Sequence, residues 1–314
     1  MSSEVSVVVP SYNHAKFVER TLRSIFAQTG RPKKLIVIDD GSKDESLSVI
    51  ERVLKDSPVE TELIVRPNRG LSATLNEALA LTDTEYFAYI GSDDVWLPDF
   101  LAHQTSLLDS RPDAVLAFSH AYLIDADDRI IDRTDKWTPF ADGDMLPLLL
   151  EGQIFSSPGV LYRRSALVRH GWNEDSILED YELYLKLSAD GEFARNENVL
   201  CGWRQHGSNV SGDLPKMVEE WIAAQDRTAK LLGIDRARLD MLQKRLRFDA
   251  VAGYVRTGRK REAMRSFREN LDAARSPQHA ARMLLRLAVP QSLFDWNRRR
   301  KREAAFRKYG RLAI

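Results

Sequence analysis

The chain has 314 residues, and its 46 Lys and Arg residues balance 46 Asp and Glu residues, so the formal net charge is zero. A hydrophobic fraction of 43% with 29% charged residues is typical of a folded globular protein and excludes collagen-like, coiled-coil and largely disordered classes. The length suits a main domain with a smaller second unit. A single cysteine, Cys201, excludes an internal disulfide and is predicted to be structural.

The charges are distributed unevenly along the chain. From Asp213 onward, Lys and Arg outnumber Asp and Glu by 25 to 12, and residues 1–212 carry a matching acidic excess. We therefore predict two units, residues 1–212 and 213–314, with different electrostatic roles. The start, Met1 to Val5, lacks the basic and apolar segments of a secretion signal, and no apolar run reaches the roughly 18 residues of a membrane span. These features predict a cytoplasmic protein.

Short apolar runs alternate with amphipathic stretches over the first part of the chain, which predicts an α/β fold with a mostly parallel sheet. The expected strands are 5–9, 35–38, 63–65, 86–90 and 114–118. The expected helices are 17–28, 46–55, 71–81 and 98–108, the last with its proline in the first turn.

The later part of the chain has a different pattern of apolar and polar residues. Residues 122–133 alternate apolar and polar side chains around Asp127 and Asp128, which predicts an antiparallel hairpin added to the sheet. Beyond a boundary near 212–215, apolar residues recur at helical spacing, which predicts a helical unit that ends in a basic run. The expected helices of this unit are 215–232, 236–257, 259–274 and 277–287.

Four polar turns follow predicted strands. They are Ser11-Tyr12-Asn13-His14, Asp39-Asp40-Gly41-Ser42, Asn68-Arg69-Gly70 and Ser92-Asp93-Asp94. In open α/β sheets, ligands bind outside the carboxyl ends of the strands, where such turns converge. Asp93 and Asp94 offer the hard oxygen ligands that suit Mg²⁺ or Mn²⁺ on a diphosphate, although a pair of aspartates in a loop is also common as a solvated turn or helix cap. Asp39 and Asp40 could accept hydrogen bonds from a base or ribose, and Tyr12 could stack on the base.

In order and spacing, these turns resemble the inverting GT-A glycosyltransferases of family two. The matching segments are Val8-Val9-Pro10-Ser11-Tyr12-Asn13, Asp39-Asp40-Gly41-Ser42, Asn68-Arg69-Gly70, Ser92-Asp93-Asp94 and Glu179-Asp180. The resemblance covers about the first two thirds of the chain. It implies a Rossmann-like GT-A domain, with a mostly parallel sheet and antiparallel additions, before the helical C-terminal unit. It also implies sugar transfer from a nucleotide-diphosphate donor to a hydroxyl of a glycan or lipid-linked glycan, assisted by Mn²⁺ or Mg²⁺.

The resemblance also implies roles for individual residues. The donor nucleotide would contact Pro10, Ser11, Tyr12, Asp39, Asp40, Asn68, Arg69, Ser92, Asp93 and Arg204. The metal would be held by Asp93, Asp94 and His206, although a surface role for His206 is an open alternative. The family's acidic motif often begins with an acid where this chain has Gly91, so the metal is expected to depend on Asp93 and Asp94 together.

Inverting transfer requires a base that takes the proton of the acceptor hydroxyl. By resemblance this base is Asp180, with Glu179 second, although acidic residues are also favoured at any helix start. Trp172 could form a wall of the acceptor site or belong to the core.

A basic run, Arg298-Arg299-Arg300-Lys301-Arg302, follows the bulky apolar residues Leu293, Phe294 and Trp296. This pairing suits peripheral docking to an anionic membrane face, and its alternative is a helix with a solvated basic side. Nucleic acid is disfavoured as a partner because no nucleic-acid motif surrounds the run.

Three other classes of protein could place acidic residues on an α/β sheet. A dehydrogenase is excluded because no Gly-x-Gly-x-x-Gly follows the first strand. A nucleotidyltransferase that makes nucleotide sugars is weakened by the lack of a glycine-rich phosphate loop, but stays an alternative. A non-catalytic nucleotide-binding scaffold of the same fold is the third class, and Gly91 is the feature that favours it.

Overall fold

The computed structural model describes residues 3–137, 140, 142–207 and 213–313. The described strands are β1 (Ser3–Ser11), β2 (Pro32–Asp39), β3 (Glu60–Val65), β4 (Tyr86–Tyr89), β5 (Val95–Trp96), β6 (Ala114–Ile124), β7 (Ile130–Arg133), β8 (Val160–Arg163) and β9 (Glu192–Arg204). The described α-helices are α1 (Val18–Phe26), α2 (Ser46–Leu54), α3 (Leu71–Ala80), α4 (Phe100–Ser110), α5 (Leu146–Leu150), α6 (Arg164–His170), α7 (Glu179–Leu187), α8 (Leu214–Thr228), α9 (Arg236–Arg256), α10 (Lys260–Glu269), α11 (Pro277–Ala288) and α12 (Gln291–Tyr309).

The described strands form one mixed sheet in the order β3-β2-β1-β4-β8-β6-β9-β5, with β7 paired to β6. Strands β1 to β4 are parallel, because α1, α2 and α3 return the chain to the same edge before each new strand. Strand β8 is antiparallel to both β4 and β6, so β6 and its parallel neighbour β9 run in the same direction as β1. The carboxyl ends of β1, β2, β4, β6 and β9 therefore lie at one edge of the sheet.

Helices cover both faces of the sheet. Because side chains alternate along a strand, Val7 and Val9 join one core cluster and Val8 joins the other. The first cluster lies under α1, α2 and α4, and it includes the buried Cys201, as the sequence predicts. The second lies under α3 and α5 to α7. Burial of each aliphatic side chain in these clusters stabilises the folded state by about 1.5–3 kcal/mol relative to leaving that side chain exposed.

Helices α8 to α11 form a further cluster around the buried residues Phe248, Val251 and Val255. Helix α8 also packs on α7, where Gln225 Nε2 donates hydrogen bonds to Tyr181 Oη at 2.9 Å and to the Leu150 carbonyl at 3.0 Å. This confirms the helical C-terminal region. The predicted boundary at residue 212 lies outside the described residues and stays a prediction.

The elements that the sequence predicts lie within a few residues of observed ones, whereas β5, β8, β9, α5 and α6 were not predicted. Helix α4 begins at Phe100, so Pro98 precedes the helix and does not lie in its first turn. Strand β6 continues to Ile124, where it forms the expected hairpin with β7. The basic run lies on α12, none of whose residues is buried. Within the described part of the chain, no helix combines the length and the apolar character that a bilayer crossing requires.

Candidate active site

The chain turns sharply after β4 through residues 91–94, which we call the acidic turn. The amide of Asp94 donates to the Gly91 carbonyl at 3.0 Å, which closes the turn. A Cβ atom added at Gly91 would lie 2.8 Å from Asp93 Oδ1. In this conformation the glycine therefore leaves room for the Asp93 carboxylate, where an acidic side chain would crowd it.

Two histidines converge on the acidic turn, and we call His14, Asp93 and His206 the His-Asp-His cluster. His206 Nε2 lies 2.8 Å from Asp93 Oδ2, and His14 Nδ1 lies 2.8 Å from Ser92 Oγ and 3.9 Å from Asp93 Oδ1. One potential ligand atom from each of the three residues lies within 4.8 Å of the other two. The His206 ring also stacks on Phe17 at a centroid distance of 5.2 Å. The arrangement can hold a divalent cation.

His14 is a member of this cluster that sequence reasoning missed. It lies in the polar turn after β1, where the sequence pattern predicts a ligand site but no role for this histidine. Burial lowers the pKa of His14 and outweighs the opposing effect of the Asp93 carboxylate. The neutral imidazole that results has the free lone pair that metal coordination requires.

Asp94 has a different place from the one expected. Its side chain is buried, its Oδ1 accepts a hydrogen bond from the Arg204 amide at 2.7 Å, and its carbonyl accepts one from Thr21 Oγ1 at 2.7 Å. It lies outside the His-Asp-His cluster. Burial, reinforced by the negative charge of Asp93, raises the pKa of Asp94 well above its ordinary value. The structure thus brings His14, and not Asp94, together with Asp93 and His206.

Arg204, expected at the phosphates of the donor, lies inside the protein. The side chain is only 1% exposed. Its guanidinium donates to the carbonyls of Asp93 at 2.6 Å and Asp125 at 2.7 Å and to Asp128 Oδ1 at 2.7 Å, and it lies over the Phe17 ring. Arg204 therefore supports the acidic turn from within the protein.

Two buried polar atoms at the ends of β1 and β2 have no hydrogen-bond partner in the part of the chain that the structure describes. Ser11 and Asp39 are in register, and both are almost fully buried. Asp39 Oδ1 accepts from the Ser42 amide at 2.9 Å, whereas Asp39 Oδ2 and Ser11 Oγ have no hydrogen-bond partner among the described residues. Because an unpaired buried oxygen is costly, these two atoms are candidates for hydrogen bonds to a ligand.

Asp40, expected at the nucleotide, is engaged inside the protein. Its carboxylate accepts hydrogen bonds from the amides of Arg69 at 2.9 Å and Gly70 at 2.8 Å, and it pairs with the guanidinium of Arg66. The residue thereby fixes the turn after β3, and all of these contacts of its carboxylate are within the protein.

The remaining residues of the expected nucleotide site differ in exposure. Tyr12, Asn68 and Arg69 are exposed at the same edge of the sheet, and Arg69 Nη1 lies 3.2 Å from Glu77 Oε2. Pro10 is buried in β1, and Ser92 is buried with its hydroxyl on His14. Tyr12 and Asn68 are therefore available to a ligand, while Pro10 and Ser92 shape the walls behind it.

Glu179 and Asp180 begin helix α7. Tyr89 Oη donates to Glu179 Oε1 at 3.3 Å, which places the start of α7 beside the strand that leads into the acidic turn. Burial raises the pKa of both carboxyl groups, and the negative charge of Glu179 raises that of Asp180 further. Both residues stay partly exposed, so a ligand can reach them.

Trp172 belongs to the core. Its side chain is 4% exposed and packs on the rings of Phe87, Tyr89 and Tyr162. The structure thus favours the core alternative over an acceptor wall.

The fold and the turns at its carboxyl edge define the class of the protein as a GT-A glycosyltransferase domain. The chain belongs to glycosyl transferase family 2, whose family model matches residues 6–171. Among curated relatives, an uncharacterized glycosyltransferase of Nostoc sp. is 30% identical over 52% of this chain and 52% of its own length. The chondroitin synthase of Escherichia coli is 27% identical over 66% of this chain and 30% of its own length. The match thus spans about half or less of these two relatives.

Solved structures share the fold at low sequence identity. S. aureus TarS in complex with UDP-GlcNAc matches with a TM-score of 0.62 at 16% identity, over 98% of this chain and 92% of the other. The mannosyltransferase PcManGT from Pyrobaculum calidifontis, in complex with GDP-Man and Mn²⁺, matches with a TM-score of 0.61 at 19% identity, over 98% and 87%. These likenesses confirm the expected fold class.

Proposed function

We propose that this chain is an inverting glycosyltransferase that moves a sugar from a nucleotide-diphosphate donor to a hydroxyl group of a glycan or lipid-linked glycan. The observation that carries the proposal is the His-Asp-His cluster at the carboxyl edge of the sheet. The buried oxygens of Ser11 and Asp39, which have no partner among the described residues, lie at the ends of β1 and β2, and the acidic start of α7 lies beside β4. Family membership supports the same reaction class.

The donor set of the His-Asp-His cluster fits a divalent cation. One carboxylate and two imidazoles offer ligand atoms within 4.8 Å of one another, and burial favours the neutral form of His14. Because nitrogen ligands suit transition metals better than Mg²⁺, the set favours Mn²⁺. When bound, such a cation would neutralise charge on the departing diphosphate.

The nucleotide would lie against the ends of β1 and β2. Asp39 Oδ2 and Ser11 Oγ are buried and unpaired among the described residues, so an N–H group of the base and a ribose hydroxyl would satisfy them. The exposed Tyr12 ring can stack on the base, and Asn68 can reach its edge or the ribose. The nucleotide sugars bound to the structural neighbours are consistent with this assignment.

Asp180 would act as the base. Its carboxylate would take the proton of the acceptor hydroxyl while that oxygen bonds to the anomeric carbon and the bond to the nucleoside diphosphate breaks on the opposite side. A carboxylate with a raised pKa is a stronger base than an exposed one, and burial beside Glu179 supplies this shift. Glu179, which accepts a hydrogen bond from Tyr89, would raise the pKa of Asp180 through its negative charge.

Calorimetric titration of UDP, GDP and CDP with and without Mn²⁺ tests the donor site. We expect one nucleoside diphosphate to bind at least about tenfold more tightly with Mn²⁺, and Asp39→Asn to weaken it. Asp56→Asn, which changes an exposed aspartate in the turn after α2, is the matched control. Binding of no nucleotide, or preferred turnover of a nucleoside triphosphate with release of pyrophosphate, would contradict the proposal.

We also propose that α12 docks the protein peripherally on an anionic membrane face. Leu293 and Trp296 are 50% and 55% exposed one helical turn apart, and the Arg300 guanidinium lies over the Trp296 ring at 4.8 Å. An exposed aromatic residue beside exposed cations suits the interface of an anionic bilayer. Such docking would bring the site to a lipid-linked acceptor.

Co-sedimentation with vesicles tests this docking. We expect binding to vesicles of phosphatidylcholine and phosphatidylglycerol, little binding to phosphatidylcholine alone, and loss of binding in Trp296→Ala. Met241→Ala, which removes an exposed apolar side chain from α9, should bind as the unaltered protein does. Equal binding to both kinds of vesicle, or no effect of Trp296→Ala, would contradict docking through α12.

A further inference from the structure

Asp128 lies in the turn between β6 and β7, and the sequence predicts no ligand-binding role for it. Its φ is 61°, a left-handed conformation that Asp adopts more readily than most residues. The carboxylate bridges two arginines, with Oδ1 at 2.7 Å from Arg204 Nη2 and Oδ2 at 2.8 Å from Arg20 Nε. Asp128 therefore holds the far end of the guanidinium that supports the acidic turn.

Arg204 connects Asp128 to the His-Asp-His cluster. Its Nε donates to the Asp93 carbonyl at 2.6 Å, and its backbone amide donates to Asp94 Oδ1 at 2.7 Å. The guanidinium also lies 4.8 Å from the centre of the Phe17 ring, on which His206 stacks. A change in the position of Arg204 would thus move both Asp93 and His206.

The C-terminal segment 310–312 holds Asp128 in its position. The Leu312 amide donates to the Asp128 carbonyl at 2.9 Å, and the Leu312 carbonyl accepts from Arg20 Nη2 at 2.6 Å. The Gly310 carbonyl accepts from the Ile130 amide at 3.0 Å, on the other side of the turn. The Leu312 side chain is buried against Val95, the residue that follows the acidic turn.

We infer that Asp128 is a positioning residue of the metal site, and that the C-terminal segment holds it in place. This inference rests on the proposed function. The bridge between Arg20 and Arg204 orients the Asp93 carboxylate toward His14 and His206 before a cation binds. Loss of the Asp128 charge would remove one carboxylate from the nearly buried Arg204 cation and would loosen the acidic turn.

Mn²⁺ binding to the purified full chain, measured by electron paramagnetic resonance of the free ion, tests this role without a reaction. Asp128→Asn keeps the size of the side chain and tolerates the left-handed backbone, but removes the charge. Because substitutions behind a metal ligand typically cost about 10- to 100-fold in affinity, we expect a rise of this size in the Mn²⁺ dissociation constant. At saturating Mn²⁺, kcat should return toward that of the unaltered protein.

Asp127→Asn is the matched control, because the Asp127 side chain is 65% exposed and its ion pair with Lys16 is long, at 3.8 Å. It should bind Mn²⁺ as the unaltered protein does. Should Asp128→Asn fail to fold, as judged by circular dichroism, Arg20→Gln replaces it, with the same expected direction. Unchanged affinity in the folded variant would overturn this inference alone, whereas no Mn²⁺ binding by the unaltered chain would overturn it together with the metal part of the proposed function.

Discussion

His206 Nε2 lies 2.8 Å from Asp93 Oδ2, although the two residues are 113 positions apart in the sequence. Strand β5, which follows the acidic turn directly, pairs with β9, so that Val95 lies opposite Gly202. This short pairing carries the end of β9, and His206 beyond it, to the carboxyl end of β4. The sheet topology therefore assembles the His-Asp-His cluster.

Removal of an imidazole should weaken metal binding. For His206→Ala and for His14→Ala we expect the Mn²⁺ dissociation constant to rise at least about tenfold, because each substitution removes one of three protein ligand atoms. His103→Ala, which changes an exposed histidine on α4, should leave the constant unchanged. Titration calorimetry with Mn²⁺ measures all three variants, and an unchanged constant in both cluster variants would exclude this metal site.

Loss of the proposed base should abolish turnover without loss of donor binding. For Asp180→Asn we expect kcat to fall by about 10²- to 10⁴-fold, with the nucleotide dissociation constant within twofold of the unaltered protein. Asp175→Asn changes an exposed aspartate in the segment before α7 and should keep full activity. Near-normal turnover by Asp180→Asn would remove Asp180 from this role.

The pH dependence should report the raised pKa of Asp180. The base works only when it is deprotonated, so a raised pKa moves the acidic limb of kcat/KM to a pH above the value of about 4 that an ordinary aspartate would give. Glu179→Gln removes the neighbouring negative charge and should shift the limb to lower pH. Measurements at saturating Mn²⁺ keep protonation of the histidines from dominating the profile, and a limb near pH 4 in the unaltered protein would contradict the assignment.

The packing behind the acidic turn predicts a loss of stability in Gly202→Ala. The added methyl group would lie 2.6 Å from Leu312 Cδ2 and 2.9 Å from Val95 Cγ2. Such overpacking costs about 1–3 kcal/mol in the free energy of unfolding, measured by denaturant titration. Gly207→Ala, with no described atom within 4 Å of the added methyl group, is the control. Equal stability of the two variants would contradict this prediction, because it would show that Leu312 and Val95 make room for the methyl group at no cost in free energy.

Local sequence patterns predicted much of the fold. Apolar runs and helical periodicity located β1 to β4 and α1 to α4, because each pattern reflects burial on a sheet face or a helix side within a few residues. The strand order was not predictable from these patterns, because the pairing of β5 with β9 depends on contacts between distant segments. The role of His14 was missed for the same reason.

The polar turns were located correctly, but the roles within them were not all predictable. Asp40 and Arg204 carry the charges that a ligand site requires, yet both are buried and bonded inside the protein. A sequence motif specifies the residue type and its spacing, whereas the direction of a side chain depends on its neighbours in space. Asp39, next to Asp40, has a buried carboxylate oxygen without a partner among the described residues, which a ligand would use.

The most direct test of the central claim is nuclear magnetic resonance of the chain with a panel of nucleotide sugars, with and without Mn²⁺. The account predicts release of a nucleoside diphosphate only when Mn²⁺ is present, inversion at the anomeric carbon of the transferred or hydrolysed sugar, and release at least about 100-fold slower by Asp180→Asn. Retention of the anomeric configuration, or tight nucleotide binding without any breakage of the sugar-diphosphate bond, would contradict it.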